Sequence, residues 1–463
     1  MWSSVVIMIE SLQVFDDIKV IEKKTKVRPN GKKYFIETYG CQMNVADSEL
    51  IEQMLIKEGY KNTANIKKAD ILMINTCSIR DHAEDKVHSQ LGRYRKLKQK
   101  KPSLLIGVVG CMAQSLKHEL LENKPYVDII LGPDSYRNLP KILNRSNLIS
   151  KNIVDTKLSR FEVYDDLFPS RKEGINAWIS IMRGCDKFCT FCIVPFTRGR
   201  ERSRTITSIV SEAEQAVSDG FVEITLLGQN VNSYRCDGFE FHHLLNELAK
   251  INGLKRIRYT SPHPKDINID LLNTMSKNDN ICNHIHLPLQ SGSDYVLKRM
   301  NRTYTRDQFL LLAHKIRTIL PGVGISTDII VGFPGEKESD FKDTIDLMSK
   351  IKFDSAFMFK YSKRRGTKAV EYDDQINEDV KQKRLSEVID LQKKHTLYQN
   401  KKMIGKVEKV LIEKISKKSD YDWAGRTESN KWVNFNMKNE KIGDEVNVKI
   451  LSSNGISLKG KIL

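Results

Sequence analysis

The sequence predicts an α/β protein of three domains: an open parallel α/β sheet, a partial (β/α)6 barrel and a small β-barrel. Short apolar strands alternate with amphipathic helices over residues 32–150 and again over 171–399, and this alternation is typical of parallel sheets with crossover helices. Residues 400–463 show only short alternating segments between turn residues, as in a small barrel. Residues 1–31 stay unassigned, and the polar stretch 151–170 is predicted to be a linker.

Length and composition agree with this division. A chain of 463 residues exceeds the size at which one hydrophobic core keeps growing, and 40% hydrophobic with 29% charged residues is typical of a globular protein. The N-terminus lacks the features of a secretory signal, and no apolar run approaches membrane-spanning length. We therefore expect a cytoplasmic protein without a membrane partner.

The net charge and the cysteine content indicate which classes of partner and of chemistry to expect. Lys and Arg total 76 against 58 Asp and Glu, and the net charge of +18 favours a polyanionic partner, although a lysine-rich surface alone would also produce it. Eight cysteines in a long intracellular chain favour metal binding or catalysis over a disulfide framework.

The first domain places three cysteines at strand ends. Its predicted strands are KYFIETYG, ADILMINT, LLIGVVG and VDIILG, with helices over 48–57, 82–98 and 114–122. Cys41, Cys77 and Cys111 each come directly after one of the first three strands. Because ligands bind outside the carboxyl ends of strands in open α/β sheets, these cysteines can converge there. The alternative for each is a small buried hydrophobic residue.

The second domain has six predicted strands, AWISIMRG, VEITLLGQN, RIRYTS, HIHLPLQ, GISTDIIVG and SAFMFKYS, with helices such as 208–218, 241–250 and 307–319 between them and a helix over 380–399 after them. Six βα units form an incomplete barrel, whose functional residues belong at the strand C-termini. The third domain, with KVEKVLIEKI, WVNFNM and DEVNVKIL, holds 14 Lys and Arg against 8 Asp and Glu and is basic in its own right.

RGCDKFCTFCIVP contains Cys185, Cys189 and Cys192 in a CxxxCxxC spacing directly after the first barrel strand. Three thiolates on one loop can bind a 4Fe-4S cluster and leave its fourth iron open for the amino and carboxylate groups of S-adenosylmethionine (SAM). A thioredoxin-like pair or half of a zinc site would also use CxxC. Zinc needs a fourth ligand nearby, however, and no Cys or His follows until Cys236 and His242.

Several separate blocks resemble the radical SAM methylthiotransferases. These blocks are TYGCQMN, INTCSIRDHAEDKV, VVGCMAQ, GCDKFCTFCIVPFTRGRERSR, LLGQNVNSY, HLPLQSGSDYVLKRMNRTYT and TDIIVGFPGE, in family order over residues 32–463. NTCSIR and DKFCTFCIVPFTRGRERSR are most similar to the branch that makes 2-methylthio-N6-dimethylallyladenosine in tRNA. The branches acting on threonylcarbamoyladenosine or on a ribosomal protein are the alternatives within the family.

The resemblance implies two 4Fe-4S clusters and two SAM molecules per turnover. Cys41, Cys77 and Cys111 would bind an auxiliary cluster where one SAM methylates a sulfur, while the second SAM is cleaved at the cluster of Cys185, Cys189 and Cys192. The resulting radical would remove hydrogen from carbon 2 of an isopentenylated adenosine at position 37, in the tRNA anticodon stem-loop. A flavodoxin- or ferredoxin-like electron donor and a sulfur donor would be further partners.

Candidate SAM residues lie at or near the strand C-termini, where polar and small groups can meet the methionine and ribose moieties. They are Gly228, Gln229 and Asn230 after the second strand, Ser261 after the third, His286 and Gln290 on the fourth, and Asp328 on the fifth. Local turn and capping chemistry is the alternative for each. By resemblance, Phe191 would lie beside the SAM adenine.

The C-terminal segment GRTESNKWVNF resembles the TRAM domain, a small RNA-binding β-barrel. We predict that Arg426, Lys431 and Trp432 contact RNA, with an ordinary solvated face as the alternative. A functional alternative of another class is a non-catalytic protein that binds zinc through its cysteines and RNA through this barrel. YSKRRGTKA departs from the family pattern, because Arg365 and Lys368 replace common prolines.

Overall fold

The computed structural model describes residues 29–77, 81–146, 152–171 and 174–463, with only the backbone for 81–85 and 145–146. The three predicted domains are present in the predicted order. Most of the unassigned segment 1–31 and the last three residues of NTCSIR lie outside the described residues. Within the described ranges, no helix is both long and apolar enough to cross a membrane.

The N-terminal domain is a six-stranded parallel sheet of order β2-β1-β3-β4-β5-β6. Its strands are β1 (Lys33–Thr38), β2 (Lys61–Asn62), β3 (Ile71–Thr76), β4 (Leu105–Gly110), β5 (Ile129–Leu131) and β6 (Ile153–Asp155). Its helices are α1 (Gln42–Lys57), α2 (Asp81–Lys100), α3 (Cys111–Leu116), α4 (His118–Asn123) and α5 (Leu139–Ser146). The apolar strands carry one core on each face, as buried parallel strands require.

Two features of this domain differ from the prediction. The helix predicted over 114–122 is two short helices, because Lys117 takes a positive φ of 47° that interrupts the helical hydrogen bonds. The segment predicted to be a linker contributes β6, which pairs in parallel with β5. Part of that segment therefore belongs to the sheet.

The central domain is a partial barrel. Its strands are β7 (Asn176–Ser180), β8 (Met182–Arg183), β9 (Arg202–Ser203), β10 (Glu223–Leu227), β11 (Arg235–Cys236), β12 (Phe239–Glu240), β13 (Arg256–Tyr259), β14 (His284–His286), β15 (Gly324–Val331) and β16 (Ser355–Lys360). Its helices are α6 (Val194–Arg198), α7 (Ile206–Ser218), α8 (Phe241–Ala249), α9 (Ile269–Lys277), α10 (Asp294–Arg299), α11 (Arg306–Ile319), α12 (Glu338–Ile351) and α13 (Glu378–Lys401).

The six barrel strands form two parallel sheets, β7-β10-β13 and β14-β15-β16, which a bridge between Ile257 and Ile281 connects. Ala177 and Ile179 pack in the core beneath the helices. Because side chains alternate along a strand, Trp178 between them faces the barrel lumen. Leu227 on β10 faces the lumen for the same reason, since Leu226 lies in the core.

The C-terminal domain is a closed barrel of order β17-β18-β19-β21-β20. Its strands are β17 (Val407–Ser416), β18 (Ser419–Thr427), β19 (Trp432–Asn436), β20 (Glu445–Ser453) and β21 (Leu458–Ile462). The strands β18 and β21 were not among the predicted segments, because Gly425 and Gly460 weaken their apolar pattern. Both glycines are required: a Cβ there would lie 2.3 Å from Leu411 O and 2.3 Å from Val448 Cγ1 respectively.

Candidate active site

The CxxxCxxC loop places its three thiols between β8 and α6, at the carboxyl end of the first barrel strand. All three cysteines are free and partly exposed. Burial raises the pKa of the Cys185 thiol to about 11 and that of the Cys192 thiol to about 12. Metal binding to these side chains would therefore release protons.

The loop is held in shape by the segment after α10. Thr190 N donates to Met300 O at 3.1 Å, and the Thr190 hydroxyl donates to Arg299 O at 2.9 Å. Asn301 Nδ2 donates to Phe188 O at 3.0 Å, where Phe188 has a positive φ of 47°. Two side-chain hydrogen bonds thus hold a backbone conformation that non-glycine residues rarely adopt.

Two further residues shape the loop, and one of them contacts a thiol. Gly184, with a φ of 79°, passes so close to Arg200 that a Cβ would lie 2.0 Å from its carbonyl oxygen. Arg302 Nη1 donates to Cys189 Sγ at 3.4 Å, which places a cation beside the middle thiol. A cation at this distance stabilises a thiolate, the form that binds iron.

Cys41, Cys77 and Cys111 converge at the carboxyl edge of the N-terminal sheet. A Cβ on Gly40 would lie 2.6 Å from Cys77 Cβ, so only glycine allows this approach. A hydrogen bond with Cys77 lowers the pKa of the Cys41 thiol to about 5, with a further contribution from the charge of Arg198. Cys111 is buried at the start of α3, close enough for Cys41 to act on its pKa.

The donor sets fit iron–sulfur clusters better than single ions. Within the described residues, no group of three His, Cys, Asp or Glu side chains is placed to hold one metal ion. Thiolates that bind three different irons of a cluster stand farther apart than ligands that share one ion. Each triplet supplies three cysteine thiols, the number of protein ligands that a 4Fe-4S cluster with one open iron needs.

A buried ion-pair group joins the two domains beside the first triplet. Asp47 on α1 is fully buried and accepts from Arg183 Nη2 at 2.6 Å and Arg198 Nη2 at 2.8 Å. Burial acts to raise the pKa of Asp47, but the two guanidinium groups hold it below its ordinary value. Arg198 Nη2 also reaches Asn44 Oδ1 at 3.2 Å.

The start of α1, next to Cys41, packs against the lumen side of the barrel. Met43 and Ala46 on α1 pack against Leu227, and Cys41 and Trp178 join the same cluster. Because Trp178 and Leu227 point into the lumen, Cys41 lies at its edge. Cys41 of the first triplet therefore borders the lumen, and the CxxxCxxC loop lies at the carboxyl end of the first strand of the same barrel.

The candidate SAM residues after β10 lie in a tightly packed turn. A Cβ on Gly228 would lie 2.6 Å from Met182 Cγ, so glycine is required there. Gln229 Oε1 is buried without a hydrogen-bond partner among the described residues. Asn230 Nδ2 donates to Asp266 Oδ2 at 2.8 Å, and this carboxylate also pairs with Lys187 at 2.6 Å.

The candidates on the other half-barrel form a polar group in the lumen. His286 Nδ1 lies 2.9 Å from Ser326 Oγ, and His286 Nε2 lies 3.2 Å from Asp328 Oδ2. Gln290 has a positive φ of 68°, and its Oε1 is buried with no partner in the described part of the chain. Buried acceptors without partners are costly, so Gln229 and Gln290 fit a site that a polar ligand completes.

The remaining two candidates differ in burial. Ser261 is exposed and has a positive φ of 56° at the end of β13. Phe191 packs against a cluster that contains Phe333, at a ring-centroid distance of 6.5 Å with the rings perpendicular. Next to the loop, a polar cavity of about 430 Å³ is lined by residues that include Lys187 and Asp266.

Arg426 and Lys431 do not have the exposed positions that we predict for RNA contacts. Arg426 pairs with Glu413 and, at 3.1 Å, with Glu223 of the barrel. Lys431 Nζ lies 2.6 Å from Asp354 Oδ1. Both cations are therefore already paired in a domain interface, and their contact with RNA stays a prediction.

The third predicted RNA contact, Trp432, is half-buried. The ammonium group of Lys414 lies 4.3 Å from its ring centroid, and the Arg426 guanidinium lies at 5.6 Å. Cation–π contacts of this kind stabilise a barrel surface, and an aromatic ring in such a contact can also stack on a nucleobase. Its contact with RNA stays a prediction.

Sequence reasoning missed the buried arginines near the site. Arg198, Arg202 and Arg204 lie in the quoted block FTRGRERSR, but all three are buried and paired, Arg202 with Asp134 at 2.8 Å and Arg204 with Glu212 at 2.5 Å. An arginine run normally indicates a solvated or RNA-facing surface. The apolar residues that flank this block gave the only signal of burial.

Three family models match the chain in the order of its domains. The Uncharacterized protein family UPF0004 matches residues 33–132, the Radical SAM superfamily matches 179–348 and the TRAM domain matches 401–463. A protein from Christiangramia forsetii is 43% identical over 463 residues, covering 96% of this chain and 95% of its own. It is named tRNA-2-methylthio-N(6)-dimethylallyladenosine synthase, as is a protein from Parabacteroides distasonis that is 46% identical and covers 95% and 98%.

The chain belongs to the tRNA-2-methylthio-N(6)-dimethylallyladenosine synthase family. Among solved structures, the radical S-adenosylmethionine methyltransferase TsrM from Kitasatospora setae is similar, with a TM-score of 0.57, 13% identity and coverage of 73% of this chain and 77% of that chain. The cobalamin-dependent radical enzyme OxsB matches with a TM-score of 0.54, 14% identity and coverage of 77% and 56%. These similarities show the fold.

Membership of this family confirms the predicted fold class and makes the chain a radical SAM enzyme. A radical SAM enzyme uses a 4Fe-4S cluster and SAM. The Radical SAM match includes the CxxxCxxC loop, and the UPF0004 match includes Cys41, Cys77 and Cys111.

Proposed function

We propose that this chain catalyses the 2-methylthiolation of N6-(dimethylallyl)adenosine at position 37 of tRNA, next to the anticodon. One observation carries the proposal: the cysteine triplets lie on two different domains, and Cys41 of one triplet borders the lumen of the barrel that carries the other triplet. The names of the relatives support the choice of substrate. The product is 2-methylthio-N6-(dimethylallyl)adenosine.

Each triplet holds one 4Fe-4S cluster in this proposal. Cys185, Cys189 and Cys192 would hold one cluster, which would supply the electron for cleavage of SAM. Cys41, Cys77 and Cys111 would hold the auxiliary cluster, which would supply the sulfur chemistry. The hydrogen at carbon 2 of adenine has no useful acidity, so a general base cannot remove it. Radical chemistry is therefore required, and two SAM molecules are used per turnover.

The protein's own residues orient the reactants and exclude water. Arg302 donates a hydrogen bond to Cys189 Sγ, and the hydrogen bonds of Thr190 and Asn301 fix the loop. Gln229, Asn230 and Gln290 offer amide groups, and His286 with Asp328 offers a paired imidazole and carboxylate, to the amino acid and ribose parts of SAM. Phe191 offers an apolar surface to the adenine.

The domains divide this work. We assign residues 32–150 to the auxiliary cluster, 171–399 to the SAM cluster and 400–463 to the tRNA anticodon stem-loop, in the cytoplasm. A flavodoxin- or ferredoxin-like electron donor and a sulfur donor complete the set of partners. The net positive charge of the C-terminal barrel supports RNA binding, because Lys and Arg side chains can bind backbone phosphates whatever the base sequence is.

Nucleoside mass spectrometry of tRNA tests the proposal. A strain that lacks this gene should lose 2-methylthio-N6-(dimethylallyl)adenosine and accumulate the precursor without the methylthio group. The wild-type gene should restore the product, and a Cys189→Ala gene should not. Loss of methylthiolated threonylcarbamoyladenosine instead would favour the alternative tRNA substrate, and an unchanged nucleoside profile would refute a tRNA substrate.

A further inference from the structure

Two phenylalanines on the last barrel strand are unusually exposed. Phe357 is 60% exposed and Phe359 is 48% exposed, although both lie within β16. The alternate residue Met358 packs against the barrel core. Because side chains alternate along a strand, Phe357 and Phe359 point to the opposite side, into the lumen.

The strand register confirms this orientation. Phe357 pairs with Asp328 on β15, and Phe359 pairs with Ile330, so each pair shares one face of the sheet. The His286 ring lies 5.9 Å from the Phe357 ring at a steep angle. The two phenylalanines therefore border the same polar group that contains His286 and Asp328.

The barrel is open beside these rings. Among the described residues, β7 and β16 are the terminal strands of their sheets and do not pair with each other. Helix α1 packs on β7 and brings Cys41 beside Trp178. The exposed rings on β16 thus face a lateral opening that has the auxiliary cysteines on its other side.

We propose that Phe357 and Phe359, together the aromatic wall, stack against the adenine ring and isopentenyl group of the tRNA nucleoside. This inference rests on the proposed function. A nucleoside modified by an enzyme leaves its base stack and enters a pocket, where aromatic side chains replace the lost stacking. The apolar isopentenyl group covers further ring surface that would otherwise face water.

The position of Phe357 and Phe359 favours stacking on the tRNA base over stacking on the adenine of SAM. Phe191 and Phe333 already form an apolar cluster next to the CxxxCxxC loop, where SAM must reach the open iron. Phe357 instead pairs with Asp328, three residues before the C-terminal residue of β15, Val331, and lies toward the lumen interior. The tRNA base must lose a hydrogen atom to the radical made at one triplet and gain sulfur from the other triplet. It must therefore lie between the two triplets.

The affinities of two anticodon stem-loop oligonucleotides for the holoenzyme, measured with SAM present, test the role of the aromatic wall. One carries isopentenyladenosine at the target position and the other carries adenosine. Phe357→Ala should weaken binding of the isopentenylated oligonucleotide about five- to a hundred-fold, the range for loss of one base stack, and reduce its preference over the unmodified one. Phe357→Tyr should restore both, whereas Phe357→Leu, which keeps apolar volume without a ring, should restore them only in part.

Phe161→Ala is the matched control, because this ring is 87% exposed on the segment before the barrel. Equal affinities for wild type and Phe357→Ala, with an active wild type, would overturn the inference but not the proposed function. Slower SAM cleavage without RNA in Phe357→Ala would assign the ring to the adenine of SAM. An inactive wild type that binds both oligonucleotides equally would refute the proposed function itself.

A separate observation concerns the outer surface of the C-terminal barrel. Lys449 on β20 lies directly opposite Lys461 on β21, and Lys459 lies two residues before Lys461 on the same face of β21. All three are exposed, and none forms an ion pair within the described residues. Like charges directly opposite each other destabilise a sheet, so an external anion would relieve a cost built into this face.

We propose that Lys449, Lys459 and Lys461, the lysine face, contact the phosphate backbone of the tRNA substrate, which again rests on the proposed function. The match to the TRAM domain favours RNA over another polyanion. These residues take the place of Arg426 and Lys431, whose charges are used in the domain interface.

The salt dependence of tRNA binding tests the lysine face. Converting all three lysines to Ala should lower the slope of log affinity against log salt by about two to three, one charge contact per lysine. Lys417→Ala/Lys418→Ala/Lys441→Ala removes the same charge from exposed positions elsewhere on this barrel and should leave the slope nearly unchanged. Equal slopes for the two triple variants would overturn the inference.

Discussion

At the scale of single residues, Arg198 is the cation that links the central domain to the first cysteine triplet. It is fully buried, its Nη2 is shared between Asp47 and Asn44, and its Nη1 has no partner within the described ranges. It is also the leading charge acting on the Cys111 thiol. An anionic cluster on these cysteines would therefore be stabilised by a guanidinium from another domain.

Replacing Arg198 by Gln should make the auxiliary cluster harder to reduce. Loss of a nearby cation destabilises the more negative reduced state, and a tenfold change in that equilibrium corresponds to about 59 mV for one electron. Potentiometry followed by electron paramagnetic resonance measures this in a Cys185→Ala/Cys189→Ala/Cys192→Ala background, which keeps only the auxiliary site. We expect a decrease of at least about 59 mV.

Arg183→Gln is the control, because Arg183 pairs with the same Asp47 carboxylate. Both variants should lose comparable stability, but only Arg198→Gln should shift the potential. Equal shifts would mean that the Asp47 ion pair, rather than Arg198, determines the potential.

The sequence identifies residues whose spacing is local and misses those whose partners are distant. Cys185, Cys189 and Cys192 stand out because one short loop contains them all. Asp47 and Arg198 are 151 residues apart, so no local pattern connects them. Arg426 is a further example: its charge is visible in the sequence, but the buried Glu223 that pairs with it is 203 residues away.

At the scale of elements, the turn between β18 and β19 closes the N-terminal end of the barrel strands. Arg256 at the start of β13 is buried and donates to Glu445 at 2.7 Å and to Arg426 O at 2.6 Å. A Cβ on Gly324, at the start of β15, would lie 2.4 Å from Ser429 O. The C-terminal barrel is therefore packed against the end of the central barrel opposite the cysteines.

Arg256→Met should loosen this packing. The substitution leaves Glu445 and two backbone carbonyls without their donor in a buried interface, and breaking a buried pair costs about 3–5 kcal/mol. We expect a lower free energy of unfolding by urea and faster proteolysis near residues 401–406. Arg160→Met, at an exposed position, should change neither, and a stable Arg256→Met protein with unchanged proteolysis would show that the turn does not hold the barrels together.

The helix and strand elements with strong apolar alternation were predictable, and those defined by tertiary contacts were not. Five of the six barrel strands lie within their predicted segments, and β7 begins one residue before its segment, at Asn176. β6 has only three residues, none of them buried, so its strand structure depends on pairing with β5. β18 contains charged and aromatic residues and a glycine, and barrel closure rather than its own pattern makes it a strand.

At the scale of the whole molecule, the two cysteine triplets lie on two domains that meet at Cys41 and Trp178, and the basic barrel packs on the opposite end of the central barrel. This arrangement predicts that the two triplets contribute separately to metal content and to chemistry. The anaerobically purified protein should contain about eight irons, and each triple Ala variant should keep about four. A zinc protein would instead contain little iron and little acid-labile sulfide.

The two triple variants should differ in how they use SAM. Cys41→Ala/Cys77→Ala/Cys111→Ala should still cleave SAM to 5′-deoxyadenosine under reducing conditions, because its CxxxCxxC loop is held by contacts within the central domain. It should form no methylthio product, because it lacks the auxiliary cysteines. Cys185→Ala/Cys189→Ala/Cys192→Ala should lose both activities. Cys236→Ala/Cys282→Ala, which removes the two cysteines outside the triplets, should keep both activities and all the iron. Loss of all the iron in either triple variant would mean that the cysteines form one shared site, which would contradict the division of chemistry between the two domains.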